Sequence, residues 1–262
     1  MPTAQVNGIS IGYEVHGSGE PLLFSHSFTS DSSMWTMQVP AFRQRYQFIT
    51  YDIRGQGKSD SPPGEYSIDL FTEDLYQLVR HLGLQKFILG GLSIGGMIAC
   101  HFALAHQDML KALILADTAA APPDVPLIKD PAPFIHLAET QGMEALADHV
   151  INNKLLAPHL QDNPYAVKEY RDRMQCNNVT GYVNGVRALS RMRDRTAELS
   201  AIRVPTLIIV GEWDTPFLKP SEVLQQQIPH AKLVIIPRAG HLTNIEQPQL
   251  FNATILEFLE KI

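Results

Sequence analysis

Residues Ile88 to Ala105 read ILGGLSIGGMIACHFALA, apolar apart from Ser93 and His101. The run is 18 residues long, enough to cross a bilayer. Its glycines decide against that reading. Gly90, Gly91, Gly95 and Gly96 stand in pairs on either side of Ser93, and paired glycines punctuate a sharp turn. The stretch therefore reads as a buried strand, a tight turn and a buried helix. Within it Gly91-Leu92-Ser93-Ile94-Gly95 fits the pattern G-x-S-x-G in the setting the pattern demands. A strand that turns at once into a helix strains the dihedrals of the residue at the turn. The residues two positions away must then be small so that the two backbones can pass. Such a turn lifts the Ser93 hydroxyl clear of the sheet and aims a helix N-terminus at it, where backbone N–H groups can hold a developing oxyanion.

Working outward, Ala4 to Glu14 alternates across Asn7-Gly8, which predicts an antiparallel hairpin. Short apolar runs bounded by turn residues follow at Pro21 to His26, Tyr46 to Tyr51, Lys86 to Leu92, Leu110 to Ala116, Thr206 to Gly211 and Lys232 to Ile236. Runs that are apolar on both faces suit strands of a covered parallel sheet. Helical patterns lie between them. Ser67 to Leu82 opens on a Ser cap, carries Phe71, Leu75, Leu78, Val79 and Leu82 on one stripe and stops at Gly83. Gln247 to Ile262 has Pro248 in its first turn and is expected to face Leu250, Ile255, Phe258 and Leu259 inward. The alternation predicts an α/β fold, a mostly parallel twisted sheet of about eight strands with helices on both faces.

The alternation breaks between Thr118 and Ser200. A proline-rich lead-in (Pro122, Pro123, Pro126, Pro131, Pro133) is followed by helical patterns and by Arg187, Arg191, Arg193 and Arg195. A stretch of that length without strand signals is too long for a loop. It is expected to be a helical cap, residues 118–200, inserted between core segments 1–117 and 201–262.

The chain has 262 residues, 45% hydrophobic and 18% charged, an ordinary globular composition. Lys plus Arg number 21 against 27 for Asp plus Glu, a net charge of −6. That charge repels phosphate backbones and anionic lipid, which argues against nucleic-acid and membrane partners. The two cysteines, Cys100 and Cys176, form no C-x-x-C pair, so a disulfide framework or cysteine zinc site is not expected. The polar opening from Met1 to Ser10 shows no secretory signal, and the cytoplasm is the expected location.

A serine hydroxyl is a weak nucleophile until a base takes its proton, so a histidine and an orienting carboxylate are required downstream. His241 follows a predicted strand and the turn Pro237-Arg238-Ala239-Gly240 and precedes the last helix, which places it at the strand-end face. Asp214 leaves the strand ending at Gly211 through Thr215-Pro216 and is the expected acid. Asp117, at the end of the preceding strand, is the competitor.

Several segments resemble the α/β-hydrolase superfamily across essentially the whole chain. They are Phe24-Ser25-His26-Ser27-Phe28, Asp52-Ile53-Arg54-Gly55-Gln56-Gly57-Lys58-Ser59, the turn at Ser93, Gly211-Glu212-Trp213-Asp214 and Ala239-Gly240-His241. Gly91-Leu92-Ser93 leading into Gly95-Gly96-Met97, Leu115-Ala116-Asp117-Thr118-Ala119-Ala120 and the segment from Leu199 to Gly211 look most like 3-oxoadipate enol-lactonases and neighbouring small carboxylesterases. The resemblance implies oxyanion donors at the backbone N–H groups of Phe28 and Ile94. Two departures stand out. His26-Ser27 replaces the usual His-Gly, which implies a stiffer oxyanion loop. Ala121-Pro122-Pro123 stands where the lactonases tend to carry a basic residue for the substrate carboxylate, which argues against that particular substrate.

Other residues have plainer readings. Gly55-Gln56-Gly57-Lys58-Ser59 ends like a phosphate loop but lacks the glycine that Asp52 replaces, and is expected to be a structural turn. His26 is expected to fix the oxyanion loop, His101 and His106 to pack or meet solvent, and Met97 and Phe102 to lie in the core. The arginines from Arg187 to Arg195 are expected on a solvated face. Trp35 and Trp213 flank the expected site and are candidates for lining it. The whole predicts a serine hydrolase of a small-molecule carboxylic ester or lactone, with Ser93, His241 and Asp214 as triad, no metal and no cofactor. A carbon–carbon bond hydrolase, a cofactor-free perhydrolase and a triad-bearing ligand sensor are the rival readings.

Overall fold

The computed structural model describes residues 1–153 and 164–262. Antiparallel strands β1 (Thr3–Val6) and β2 (Ile9–His16) open the chain. Asn7 and Gly8 turn between them with φ of +46° and +75°, the doubly left-handed geometry of a hairpin turn that matches strand twist. Then come β3 (Glu20–Ser25), a 3-10 turn at Ser32–Trp35, α1 (Val39–Phe42), β4 (Tyr46–Tyr51), α2 (Ile68–His81), β5 (Phe87–Leu92), α3 (Ile94–His106) and β6 (Leu110–Ala116). Between β6 and β7 (Thr206–Gly211) lie α4 (Pro126–Lys129), α5 (Ala132–Asn152), broken at Gly142, α6 (Pro164–Gln175) and α7 (Val179–Ser190). No strand occurs there among the described residues, and positions 154–163 of the expected cap lie outside them. The chain closes with α8 (Thr215–Gln227), β8 (Lys232–Ile236), α9 (Thr243–Glu246) and α10 (Pro248–Leu259).

The eight strands form one sheet in the order β1-β2-β4-β3-β5-β6-β7-β8. β2 is antiparallel to β1 and β4, and every other neighbouring pair is parallel. Every residue of β5 and β7 is buried, because helices cover both faces of a parallel sheet. Register places Ser25 beside Gly91, Leu92 beside Ala116 and Ala116 beside Ile209. The loops after β3, β5, β6 and β7 therefore leave the sheet along one edge, where an α/β sheet collects its ligands.

The apolar run at Ile88 is split at Ser93 between a buried strand and a helix buried without interruption from Ile94 to Ala103. Among the described residues no helix is long and apolar enough to cross a membrane. Ser67 caps α2, its hydroxyl accepting the Leu70 N–H at 3.0 Å. The inward face of α10 differs from expectation. Phe251, fully buried, joins Ile255, Phe258 and Leu259, whereas Leu250 is 40% exposed. Helical spacing explains it: positions 251, 255, 258 and 259 share one face, and 250 lies about 100° around from 251. The turn after β4 is structural, as expected. The Asp52 carboxylate accepts the N–H groups of Ser32 at 2.7 Å and Lys58 at 2.8 Å, and the Ser59 hydroxyl donates to the Asp52 carbonyl at 2.6 Å.

Candidate active site

Ser93 is the single residue between β5 and α3, with φ +57° and ψ −118°. That backbone is disfavoured for any side chain beyond glycine and costs about 1 to 3 kcal/mol, so its surroundings must hold it. The Ser93 N–H donates to the Ala116 carbonyl at 2.9 Å, and the Thr118 hydroxyl donates to the Ser93 carbonyl at 2.7 Å. The flanking glycines are dictated by close passage. A Cβ at Gly91 would stand 2.2 Å from the Gly95 backbone, and one at Gly95 would stand 2.2 Å from the Ser25 carbonyl oxygen.

His241 leaves the loop after β8, and its imidazole Nε2 lies 3.0 Å from Ser93 Oγ. Its Nδ1 lies 2.9 Å from Asp214 Oδ2. With Nδ1–H directed at that carboxylate, Nε2 is left as acceptor for the Ser93 hydroxyl. Asp214 sits at the N-terminus of α8, so β7 and α8 together aim it. Burial works against a charge on His241. Asp214, through its charge and its hydrogen bond, then Asp117 and Glu246, outweigh it and raise the imidazole pKa above the ordinary value of 6.5. Glu246 also braces the loop, accepting the N–H groups of Gly240 at 2.9 Å and Leu242 at 3.0 Å.

Asp117, fully buried, is not bonded to the imidazole. Its carboxylate accepts the Gly211 N–H at 2.9 Å and the Thr243 hydroxyl at 2.5 Å. Burial first, and the facing Asp214 carboxylate second, push its pKa well above the usual carboxylate range.

Ile94 heads α3, so its N–H has no partner within the helix and carries the positive end of the helix dipole. Phe28 lies beside Ser27 and Ser93 on the wall of one cavity. The loop that carries Phe28 is fixed by His26. Its Nδ1 hydrogen bonds to the Ser27 carbonyl at 2.7 Å and its Nε2 accepts the Ile53 N–H at 2.9 Å. Burial lowers the His26 pKa against the pull of Asp52, which suits this neutral, bridging form.

The cavity measures about 40 Å³. Val125, Leu127 and Ile128, Tyr170 of α6 and Leu189 of α7 reach it from the region between β6 and β7, and Phe28, Met97, Phe217 and Leu242 from the sheet side. The polar side chains on its wall are those of Ser27, Ser93, Tyr170 and His241, and no Lys, Arg, Asp or Glu lines it among the described residues. Met97 is buried, as expected, and also forms wall. Trp35 does not line it. Its ring is fully buried between β3 and α10, edge-on to Phe24 at 4.9 Å and stacked on Phe251 at 6.2 Å. Trp213 is half-buried at the β7–α8 turn and is not part of the wall either. Phe217, one helical turn past Asp214, takes that place with its ring 4.5 Å from the His241 ring.

His101 pairs with Asp69 at 2.9 Å, and His106 stacks on Tyr76 at 4.2 Å. Arg187, Arg191 and Arg193 are exposed, and Arg195 is half-buried. Arg191 pairs with Glu65 at 3.3 Å, and Arg193 with Glu198 at 3.1 Å. Sequence reading missed Phe217, Thr243 and Glu246. Phe217 stands at i+3 from Asp214, and Thr243-Asn244-Ile245-Glu246 carries the T-x-x-E spacing of a helix start, so both signals were present.

Comparison with known proteins extends the same architecture. The chain is 28% identical to 3-oxoadipate enol-lactonase 2 of Acinetobacter baylyi, over 97% of this chain and 94% of that protein. The crystal structure of the enol-lactonase from Burkholderia xenovorans LB400 superposes with a TM-score of 0.90 at 31% identity, covering 99% of this chain and 100% of that one. A thermophilic esterase from Thermogutta terrifontis does so with a TM-score of 0.90 at 31% identity, covering 99% and 98%. Residues 20–163 match the family described as alpha/beta hydrolase fold. With the sheet order, the turn at Ser93 and full-length relatives in agreement, the chain belongs to the α/β-hydrolase family.

Proposed function

We propose that this hydrolase cleaves short, uncharged carboxylic esters or lactones through an acyl-enzyme on Ser93. The observation that carries the reading is the continuous relay of Ser93 Oγ to His241 Nε2 at 3.0 Å and His241 Nδ1 to Asp214 at 2.9 Å. Ser93 Oγ attacks the carbonyl carbon while its proton passes to Nε2, and Asp214 stabilises the imidazolium that forms. The N–H groups of Ile94 and Phe28 receive the oxyanion, each donor contributing roughly 3 to 4 kcal/mol to the transition state. Collapse expels the alcohol, which takes the proton back from His241. A water molecule then repeats the sequence at the acyl carbonyl, which releases the acid and restores Ser93.

Residues 118–200 act in this reading as a cap that closes the acyl pocket, with 1–117 and 201–262 forming the core that bears the triad. Val125, Leu127, Ile128, Tyr170 and Leu189 on the cavity wall support that role. The cavity is narrow, about 40 Å³, and apolar over most of its wall. Among the described residues its wall carries no cation, and a buried carboxylate without a partner is strongly disfavoured. These features favour an uncharged short acyl group over the carboxylate of an oxoadipate-type lactone.

The test is a panel of p-nitrophenyl esters and lactones of graded length, with multiple turnovers expected and the shortest neutral acyl groups favoured. Release limited to about one equivalent per chain would support a ligand sensor instead and overturn the reading. The pH dependence follows from His241, which must be neutral to take the Ser93 proton. Because its pKa is raised in the folded protein, kcat/KM should fall as pH drops through a single ionisation above 6.5. A profile flat down to about pH 5 would contradict His241 as the base.

A further inference from the structure

The end of β6 is hydrogen bonded to Ser93 and to the chain beside Asp214 and His241 without taking part in the relay. Three consecutive residues do this. Ala116 accepts the Ser93 N–H at 2.9 Å, and Thr118 donates to the Ser93 carbonyl at 2.7 Å. Between them Asp117 donates its own N–H to the Ile209 carbonyl at 2.8 Å. Its carboxylate takes the Gly211 N–H at 2.9 Å and the Thr243 hydroxyl at 2.5 Å, with the Thr243 N–H at 3.4 Å. Gly211 lies three residues before Asp214, and Thr243 lies two residues after His241. Asp117 also holds a left-handed backbone with φ +46°, a strain that persists only where surroundings enforce it and that gathers at functional sites. A fully buried carboxyl bonded to the chain beside both the acid and the base, yet to neither side chain, has little reason to be there for packing alone.

We infer that Asp117 is a positioning residue that sets the distance and angle of His241 to Ser93 by holding Thr243 and Gly211. This rests on the hydrolase reading of Ser93 and His241. It assigns Asp117 a task separate from the acid's, since Asp214 alone meets Nδ1. The task is hydrogen bonding, so charge is dispensable. An asparagine can accept from Gly211 and donate to the Thr243 oxygen, whereas alanine can do neither.

The experiment compares the purified wild type, Asp117→Asn, Asp117→Ala, Thr243→Val and the double variant Asp117→Ala/Thr243→Val on one short-chain p-nitrophenyl ester, with thermal unfolding followed in parallel. Misplacing the base should lower kcat by about 10- to 100-fold in Asp117→Ala and Thr243→Val while KM changes by no more than about threefold. Asp117→Asn should stay within about threefold of the wild type, because it keeps the bonds to Gly211 and to the Thr243 hydroxyl and gives up only the long Thr243 N–H contact at 3.4 Å. The double variant should be no worse than about threefold below the weaker single one, since both changes remove the same bond. If Asp117→Ala fails to fold, Thr243→Val alone decides the matter through its kcat. A Thr243→Val enzyme with wild-type kcat, or additive losses in the double variant, would overturn the inference. So would Asp117→Asn as impaired as Asp117→Ala, which would require its charge. A wild type that turns over no ester, or a Ser93→Ala variant that does, would instead mark failure of the underlying hydrolase reading.

Discussion

Ser93→Ala is expected to lower kcat/KM for a short-chain ester by on the order of 10⁴- to 10⁶-fold while the protein still folds. The side chain that is lost makes its hydrogen bond to His241 and stands at a cavity wall rather than in the core. The backbone that surrounds it, held by Ala116 and Thr118, is unchanged by the substitution. The loss should appear in kcat, because binding in the apolar cavity does not depend on the hydroxyl. Near-normal turnover by the pure variant, with a melting curve like that of the wild type, would remove Ser93 from the chemistry.

The second large effect separates two buried aspartates. Asp214→Asn should reduce kcat/KM by on the order of 10⁴-fold, because an amide in that place favours the wrong imidazole tautomer and cannot stabilise the imidazolium. Asp117→Asn should retain most activity. Both residues stand at carboxyl ends of strands, and both carboxylates face the His241 region, but only Asp214 reaches the ring, at 2.9 Å. A dead Asp117→Asn beside an active Asp214→Asn would reverse the assignment and move the acid to β6.

The strands were the most legible part of the chain. The runs at Tyr46, Leu110 and Thr206 coincide with β4, β6 and β7, since a buried parallel strand is an apolar run cut off sharply by turn residues, and the run at Lys232 coincides with β8, the partly exposed edge strand. The turn at Ser93 was legible for a steric reason, as no residue with a Cβ could stand at Gly91 or Gly95. Sequence reading named Ser93, Asp214 and His241 from their places after β5, β7 and β8, and the structure brings the three together. The pocket was not legible in the same way. Trp35 and Trp213 were attractive by size and proximity, yet the wall is built by Phe217 and by side chains from between β6 and β7. Which face of those helices turns inward depends on tertiary packing. The longest of them, α5, breaks at Gly142 with φ +83°, so no single periodicity runs its length. The role inferred for Asp117 was hidden for another reason. Its partners Gly211 and Thr243 are 94 and 126 residues away in the chain, and nothing local announces them.

Nucleophilic attack by Ser93 can be trapped with a p-nitrophenyl alkylphosphonate. Such an ester mimics acyl transfer but leaves a stable adduct on the attacking oxygen. The protein would be incubated with it, assayed for residual ester hydrolysis, and examined by intact mass and peptide mapping. One phosphonyl group per chain is expected, carried by the peptide containing Ser93, with activity lost in proportion to labelling and no labelling of Ser93→Ala. Full activity after prolonged exposure, or inactivation with the label on a different residue, would contradict attack by Ser93.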